Sequence, residues 1–215
     1  MTAYWSAADL ADLIEAGLKR RKEADDLEQT VYGFDSLDEL GLHPLIQEAL
    51  AEGGYGVWPE QRYPDDRKRK RKSEGRRCDI VLTPDGLPLR DPAICGTLFD
   101  DQPAVNDEEA YWLEIKTVAQ FESGGPFRRY ASELLSTVTE DVKKIFQDSQ
   151  ICHGGLLLVL FTQTPEVAAH DIQVWHQRAI DRGYPAAPPV TRGLAITDRV
   201  GNAWCEIALS TVRGG

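Results

Sequence analysis

The sequence predicts an α/β fold, a mixed β-sheet flanked by α-helices with an N-terminal helical arm, and three observations carry that expectation. Segments with apolar residues at helical spacing alternate with short β-branched or aromatic runs, in the order helix, strands, helix, strand, helix, strands. The run Leu156 to Phe161 is apolar throughout rather than alternating, so it needs cover on both faces. Turn signals (Gly53-Gly54, Thr83-Pro84-Asp85-Gly86, Gly124-Gly125-Pro126) separate the segments.

Taken in order, Ser6 caps a helix that runs to about Gln29, with Leu10, Leu13, Ile14 and Leu18 on one stripe. Its charged second half, Lys19 to Asp26, makes it a partly exposed arm. A second helix is expected from Ser36 to Glu52, kinked or broken by Pro44. Tyr55 to Tyr63 reads as a strand, and Pro59 places it at an edge or a bulge. A basic connector, 67–77, leads to the strand Cys78 to Leu82. Leu87 to Glu109 is a polar insertion without a period, and Tyr111 to Val118 is a strand by its content.

An amphipathic helix follows from Arg129 to Ser149, with Ala131, Leu134, Leu135, Val138, Val142 and Ile145 on one face. Leu156 to Thr162 is the buried strand. Pro165 opens a helix to Arg182 with Ala168, Ile172, Trp175 and Ala179 inward. Strands at Val190–Thr197 and Ala203–Val212 close the chain around a turn at Gly201-Asn202.

Composition narrows the function classes. At 215 residues with 42% hydrophobic and 27% charged, the chain suits one globular domain rather than a disordered one. The longest apolar run is six residues, far below the roughly 20 that cross a bilayer, and Met1 to Ser6 does not open a signal peptide, so the protein reads as soluble and cytoplasmic. The four cysteines are scattered, which favours free, mostly buried thiols over zinc or disulfides. Net charge is −11, yet Arg67 to Arg77 holds eight basic residues and one acidic, Glu74. A basic segment on an acidic body can track phosphates while the body discourages loose association.

The chemistry centres on Glu114-Ile115-Lys116. Alternation puts Glu114 and Lys116 on one face of their strand and Ile115 on the other. Asp79 stands on the preceding apolar strand; if the two strands are neighbours, Asp79 and Glu114 converge with Lys116 beside them. Two carboxylates ~4 Å apart repel by about 4 kcal/mol at an effective dielectric of 20, which a divalent cation cancels. Hard oxygen ligands suit Mg²⁺ or Mn²⁺, and a lysine beside them suits phosphodiester hydrolysis. A solvent-facing Glu–Lys pair is the competing reading.

Gly54-Tyr55-Gly56-Val57, Glu60-Gln61-Arg62-Tyr63-Pro64, Arg77-Cys78-Asp79-Ile80-Val81-Leu82 and Trp112-Leu113-Glu114-Ile115-Lys116 follow one another, then the helix around Asp141-Val142-Lys143-Lys144. In this order and motif the chain resembles the PD-(D/E)xK nuclease superfamily, the restriction-endonuclease-like fold, over roughly residues 35–162. The resemblance implies a restriction-endonuclease-like sheet in residues 31–215, with 1–30 as the arm, and Mg²⁺-dependent hydrolysis of DNA. It implies Asp79 and Glu114 as metal ligands, the Ile115 carbonyl as a further one, and Lys116 near the nucleophilic water. Cys78 departs from the motif's proline, and the 87–109 insertion lengthens the gap from Asp79 to Glu114.

Many members add a glutamate from the first core helix, and Glu39 and Glu48 are both available. At 100° per residue, Glu39 lies among Leu42, Ile46 and Leu50 while Glu48 faces away, so Glu39 is preferred. Ser36 to Glu39 also has capping-box spacing, which would occupy that carboxylate. His43, His153, His170 and His176 show no metal-ligand spacing, and His43, one turn after Glu39, is expected at the border of the cleft. Arg67, Lys68, Arg69, Lys70, Arg71, Lys72, Arg76 and Arg77, with Lys143 and Lys144, are the expected phosphate contacts. The expected partner is DNA, with a homodimer or a separate protein subunit open and no membrane. The rival function is an inactive nuclease-fold subunit that binds DNA or protein; no phosphate-cradling GxxxxGK[ST] loop occurs, so any ATPase would be another chain.

Overall fold

The Ser6 hydroxyl accepts the Asp9 N–H and starts α1 (Ala7–Leu27), the first element of the computed structural model, which describes residues 5–68, 75–93 and 103–212. Helix α2 (Glu39–Glu52) starts three residues later than expected, because Asp38 caps it through the Gly41 N–H. Ser36 instead closes a short 3₁₀ turn, donating its hydroxyl to the Gly33 carbonyl, and Glu39 turns its carboxylate to Lys116 rather than to a capping box. The helix continues through Pro44.

Strands β1 (Gly56–Arg62), β2 (Arg77–Thr83) and β3 (Tyr111–Ala119) follow, then a two-residue hairpin, β4 (Phe121–Glu122) and β5 (Gly125–Pro126). The helix expected over 129–149 is instead three pieces: α3 (Tyr130–Ser132), a π-helical turn over Glu133–Thr137, and α4 (Val138–Gln147). β6 (His153–Thr162), α5 (Pro165–Asp181), β7 (Val190–Ala195) and β8 (Trp204–Val212) complete the chain. β6 begins at His153 because Gly154 and Gly155 fit a crowded sheet; a Cβ at 155 would meet the Tyr111 hydroxyl at 2.1 Å.

The six-stranded sheet has the order β1-β2-β3-β6-β8-β7, with β3–β6 parallel and every other pairing antiparallel. Pro59 lies on the edge strand, where its missing N–H costs no ladder bond. β6 is interior and buried on both faces, as its continuous apolar run requires. One face carries α1 and α2: Leu10, Ile14, Leu18, Leu42, Ile46 and Leu50 pack with Ile80, Leu113, Ile115 and Leu157. The helix expected as an arm therefore contributes to this core, and Gly17 lets it approach Ala49 closely. The other face carries α4 and α5, with Val138, Val142, Ile145, Ala168, Ile172 and Trp175 against Val81, Trp112, Leu156, Leu158 and Leu160. No helix among the described residues is long and apolar enough to cross a membrane.

Candidate metal centre

β2 and β3 pair at Leu82↔Tyr111, Val81↔Trp112 and Ile80↔Leu113, and the ladder stops there. One step further the register would set Asp79 opposite Glu114. Instead of a backbone partner, the Ile115 N–H finds the side chain of Asp79, donating to Oδ2 at 2.7 Å. The Asp79 carboxylate thus lies against the backbone of the Glu114-Ile115-Lys116 triplet, and the 87–109 insertion leaves the pairing of the two strands intact.

A parallel disturbance affects the outer edge. β1 pairs with β2 at Pro59↔Ile80 and Gln61↔Cys78, but Glu60 between them, beside Asp79, has φ 55°. A non-glycine residue in the left-handed region within a strand is strained, and such strain persists where the surroundings enforce it. There Glu60, Asp79 and His43 of α2 each offer one ligand atom, all within 4.8 Å of one another. His43 is 6% exposed and its Nε2 has no hydrogen-bond partner. A buried ring nitrogen left unsatisfied next to two carboxylates is what a bound cation would explain.

Glu114, next to Ile115 on β3, is 1% exposed. Its Oε1 accepts from the Tyr63 hydroxyl at 2.5 Å and its Oε2 from Lys144 Nζ at 3.1 Å. Lys144 also pairs with Asp141 Oδ1 at 2.7 Å. Burial, and next the charge of Asp79, push the Glu114 carboxyl up to about 8, against the pull of Lys144 and Tyr63. Burial likewise raises Asp79, against the Ile115 N–H and His43, and it raises Asp141 against Lys144. Burial is the largest cause of all three upward shifts, so each of these carboxyl groups is costly to ionise without a further cation.

Lys116 Nζ meets Glu39 Oε2 at 2.9 Å. Burial favours its neutral form, but Glu39 outweighs burial and the ammonium is retained. This ion pair borders a cleft of about 490 Å³, whose walls include Asp38, Thr117, Phe127 and Glu133. Glu48 is exposed on the far side of α2.

No family model, curated protein or solved structure matches the chain. The structure itself shows a mixed sheet flanked by helices, holding a His–Glu–Asp cluster of metal-ligating type.

Of the residues expected at the site, Asp79 meets the Ile115 N–H and Lys116 meets Glu39, whereas Glu114 is not part of the His43–Glu60–Asp79 cluster. Several of the basic residues expected at phosphate have partners within the fold. Lys144 is engaged by Glu114 and Asp141, and Lys143 lies 3.6 Å from Glu140. Arg67 pairs with Asp107, Arg76 with Asp66 and Gln147, and Arg77 donates to the Glu60 carbonyl. Lys68 ends a 3₁₀ turn (Pro64–Lys68), and Arg69, Lys70, Arg71 and Lys72 lie outside the described residues.

Glu60, Asp141 and Tyr63 were not anticipated. Asp141 had a signal, being three residues after Val138 and four before Ile145 on the inward face of α4. Glu60 had none beyond the neighbouring Pro59, and Tyr63 stood only as the end of the expected strand 55–63.

Proposed function

We propose that this protein is a divalent-cation-dependent nuclease of the PD-(D/E)xK type that hydrolyses DNA phosphodiester bonds. The observation that carries the reading is the Asp79 Oδ2 contact with the Ile115 N–H, which draws an aspartate to the Glu-x-Lys triplet from a strand far away in sequence. The antiparallel β1-β2-β3 unit, continued by α4 and by β6 parallel to β3, supports a restriction-endonuclease-like core.

Asp79, Glu114 and the Ile115 carbonyl would hold Mg²⁺ or Mn²⁺, with His43 and Glu60 as further donors. When bound, the cation lowers the pKa of water and offsets charge on the phosphoryl oxygens. Lys116, kept protonated by Glu39, cannot serve as a base; its ammonium donates to the attacking water or to a phosphoryl oxygen that gains charge. Glu39 fixes the direction of that donor. The imidazole among the donors favours Mn²⁺ over Mg²⁺ more than an all-oxygen set would. The basic connector 67–77 would follow the phosphate backbone, giving salt-sensitive affinity.

A second reading, a non-cutting nucleic-acid- or protein-binding subunit, draws on the ammonium of Lys144 already lying on Glu114. Plasmid and single-stranded DNA, incubated with Mg²⁺ or Mn²⁺, separate the two. Wild type should cut, and Asp79→Ala and Lys116→Ala should each lose activity by about 10²-fold or more. Equal cutting by wild type and Lys116→Ala removes the role assigned to that lysine; no cutting by wild type with either metal favours the binding subunit.

A further inference from the structure

Tyr63 is fully buried, and packing alone would need only its ring, which stacks on Trp112 at 5.7 Å and 28°. Its hydroxyl does something a phenylalanine cannot, since a buried phenol needs a partner and this one has Glu114. The two oxygens of Glu114 are treated differently: a neutral phenol holds Oε1, and the Lys144 ammonium holds Oε2. An arriving cation competes with the ammonium by charge. Nothing in its charge displaces the phenol.

Tyr63 is in turn fastened to the root of the basic connector. Its N–H donates to the Arg76 carbonyl at 3.3 Å, and its carbonyl accepts from the Asp66 N–H at 3.0 Å. The buried Asp66 closes the loop by accepting the Arg76 N–H at 2.7 Å. The Arg76 guanidinium lies 5.7 Å from the Tyr63 ring centroid.

We propose that Tyr63 is a positioning residue for Glu114, aiming its carboxylate for cation binding, and that the connector root serves to hold Tyr63 in that place. This rests on reading Glu114 as a metal ligand, so the test measures the metal directly. Mn²⁺ is titrated into the full-length chain at fixed pH and low temperature, with free Mn²⁺ read by electron paramagnetic resonance, for wild type, Tyr63→Phe and Lys144→Met.

Tyr63→Phe should weaken Mn²⁺ binding about tenfold, the usual effect of losing a partner behind a ligand, with the ring stack kept. Lys144→Met should tighten binding, because the competing ammonium is gone. Unchanged affinity in Tyr63→Phe overturns the proposal while leaving the nuclease reading intact. Weakening in both variants also overturns it, since the two contacts would then act alike, as mere support for a buried carboxylate. A wild type that binds no Mn²⁺ removes the metal reading and this inference together.

Discussion

β6 and β8 run side by side through nine successive pairs, from Gly154↔Val212 to Thr162↔Trp204, whereas β2 and β3 pair only at three positions. On the outer edge β1 skips Glu60. The two halves of the sheet share a layer but divide the labour. Where the ladder is complete, β6 runs apolar from Leu156 to Phe161 and the backbone pairs with itself. Where it fails, a carboxylate takes the N–H that a strand would have used, and ionisable groups collect around the gap. Regular pairing supplies stability, and its interruption makes room for charge.

The sharpest way to break that contrast is a cavity in the regular half. Leu158, fully buried on β6 under α4 and α5, should cost about 2–5 kcal/mol when changed to alanine. The urea midpoint should fall with an unchanged slope, and the stabilisation gained from Mn²⁺ should stay as in wild type, because Leu158 stands opposite Lys116 in the β3–β6 ladder and not opposite a proposed ligand. A loss of Mn²⁺ response in Leu158→Ala would mean that the halves are mechanically one unit.

How far the sequence disclosed each half follows from the same contrast. The interior strand and α5 were legible because burial imposes a pattern: a continuous apolar run for β6, and Ala168, Ile172, Trp175 and Ala179 at helical spacing. Asp79 and the Glu114–Lys116 pair stood out as charges in apolar strands. The break between α3 and α4 was not legible, because a π-helical turn re-phases a helix without altering its composition. Glu60 was hidden for a similar reason: its approach to His43 depends on the register of β1 against β2 and on one backbone angle. The contact of Lys144 with Asp141, three residues earlier on α4, was open to helical spacing, but its contact with Glu114 was not, since that residue reaches it from β3.

A smaller effect comes from the charge crowded at the interrupted half. Glu114 has an ordinary carboxyl pKa of 4.5 when the chain is unfolded and about 8 when folded. Between those values the folded protein binds more protons, so without metal its stability falls as pH rises through this window and reaches a floor above it. Glu114→Gln has no such proton to lose. At pH 9 without metal it should be more stable than wild type by about 2 kcal/mol, less than the shift alone implies because the charge-assisted bonds from Tyr63 and Lys144 weaken. Near pH 4 that advantage should vanish, and saturating Mn²⁺ at pH 9 should reverse the order. Thermal melts of both proteins at the two pH values check this; parallel pH profiles would show that Glu114 is not charged at a cost.

The smallest expected effect separates the backbone of the gap from its side chains. Glu60 combines a left-handed backbone with a carboxylate near His43 and Asp79, and a single substitution confounds the two. Glycine and alanine both remove the carboxylate, but only glycine accepts φ 55° without steric cost. Metal-free Glu60→Gly should therefore be more stable than Glu60→Ala by about 1 kcal/mol, a few degrees in Tm for a chain of this size. Both should lose the same part of the Mn²⁺ stabilisation, since ligation depends on the missing oxygen and not on the backbone. If alanine proves the more stable, the angle at 60 carries no strain. If the two variants keep the full metal response, Glu60 is no donor, and the proposed centre must rest on Asp79, His43 and the groups of β3.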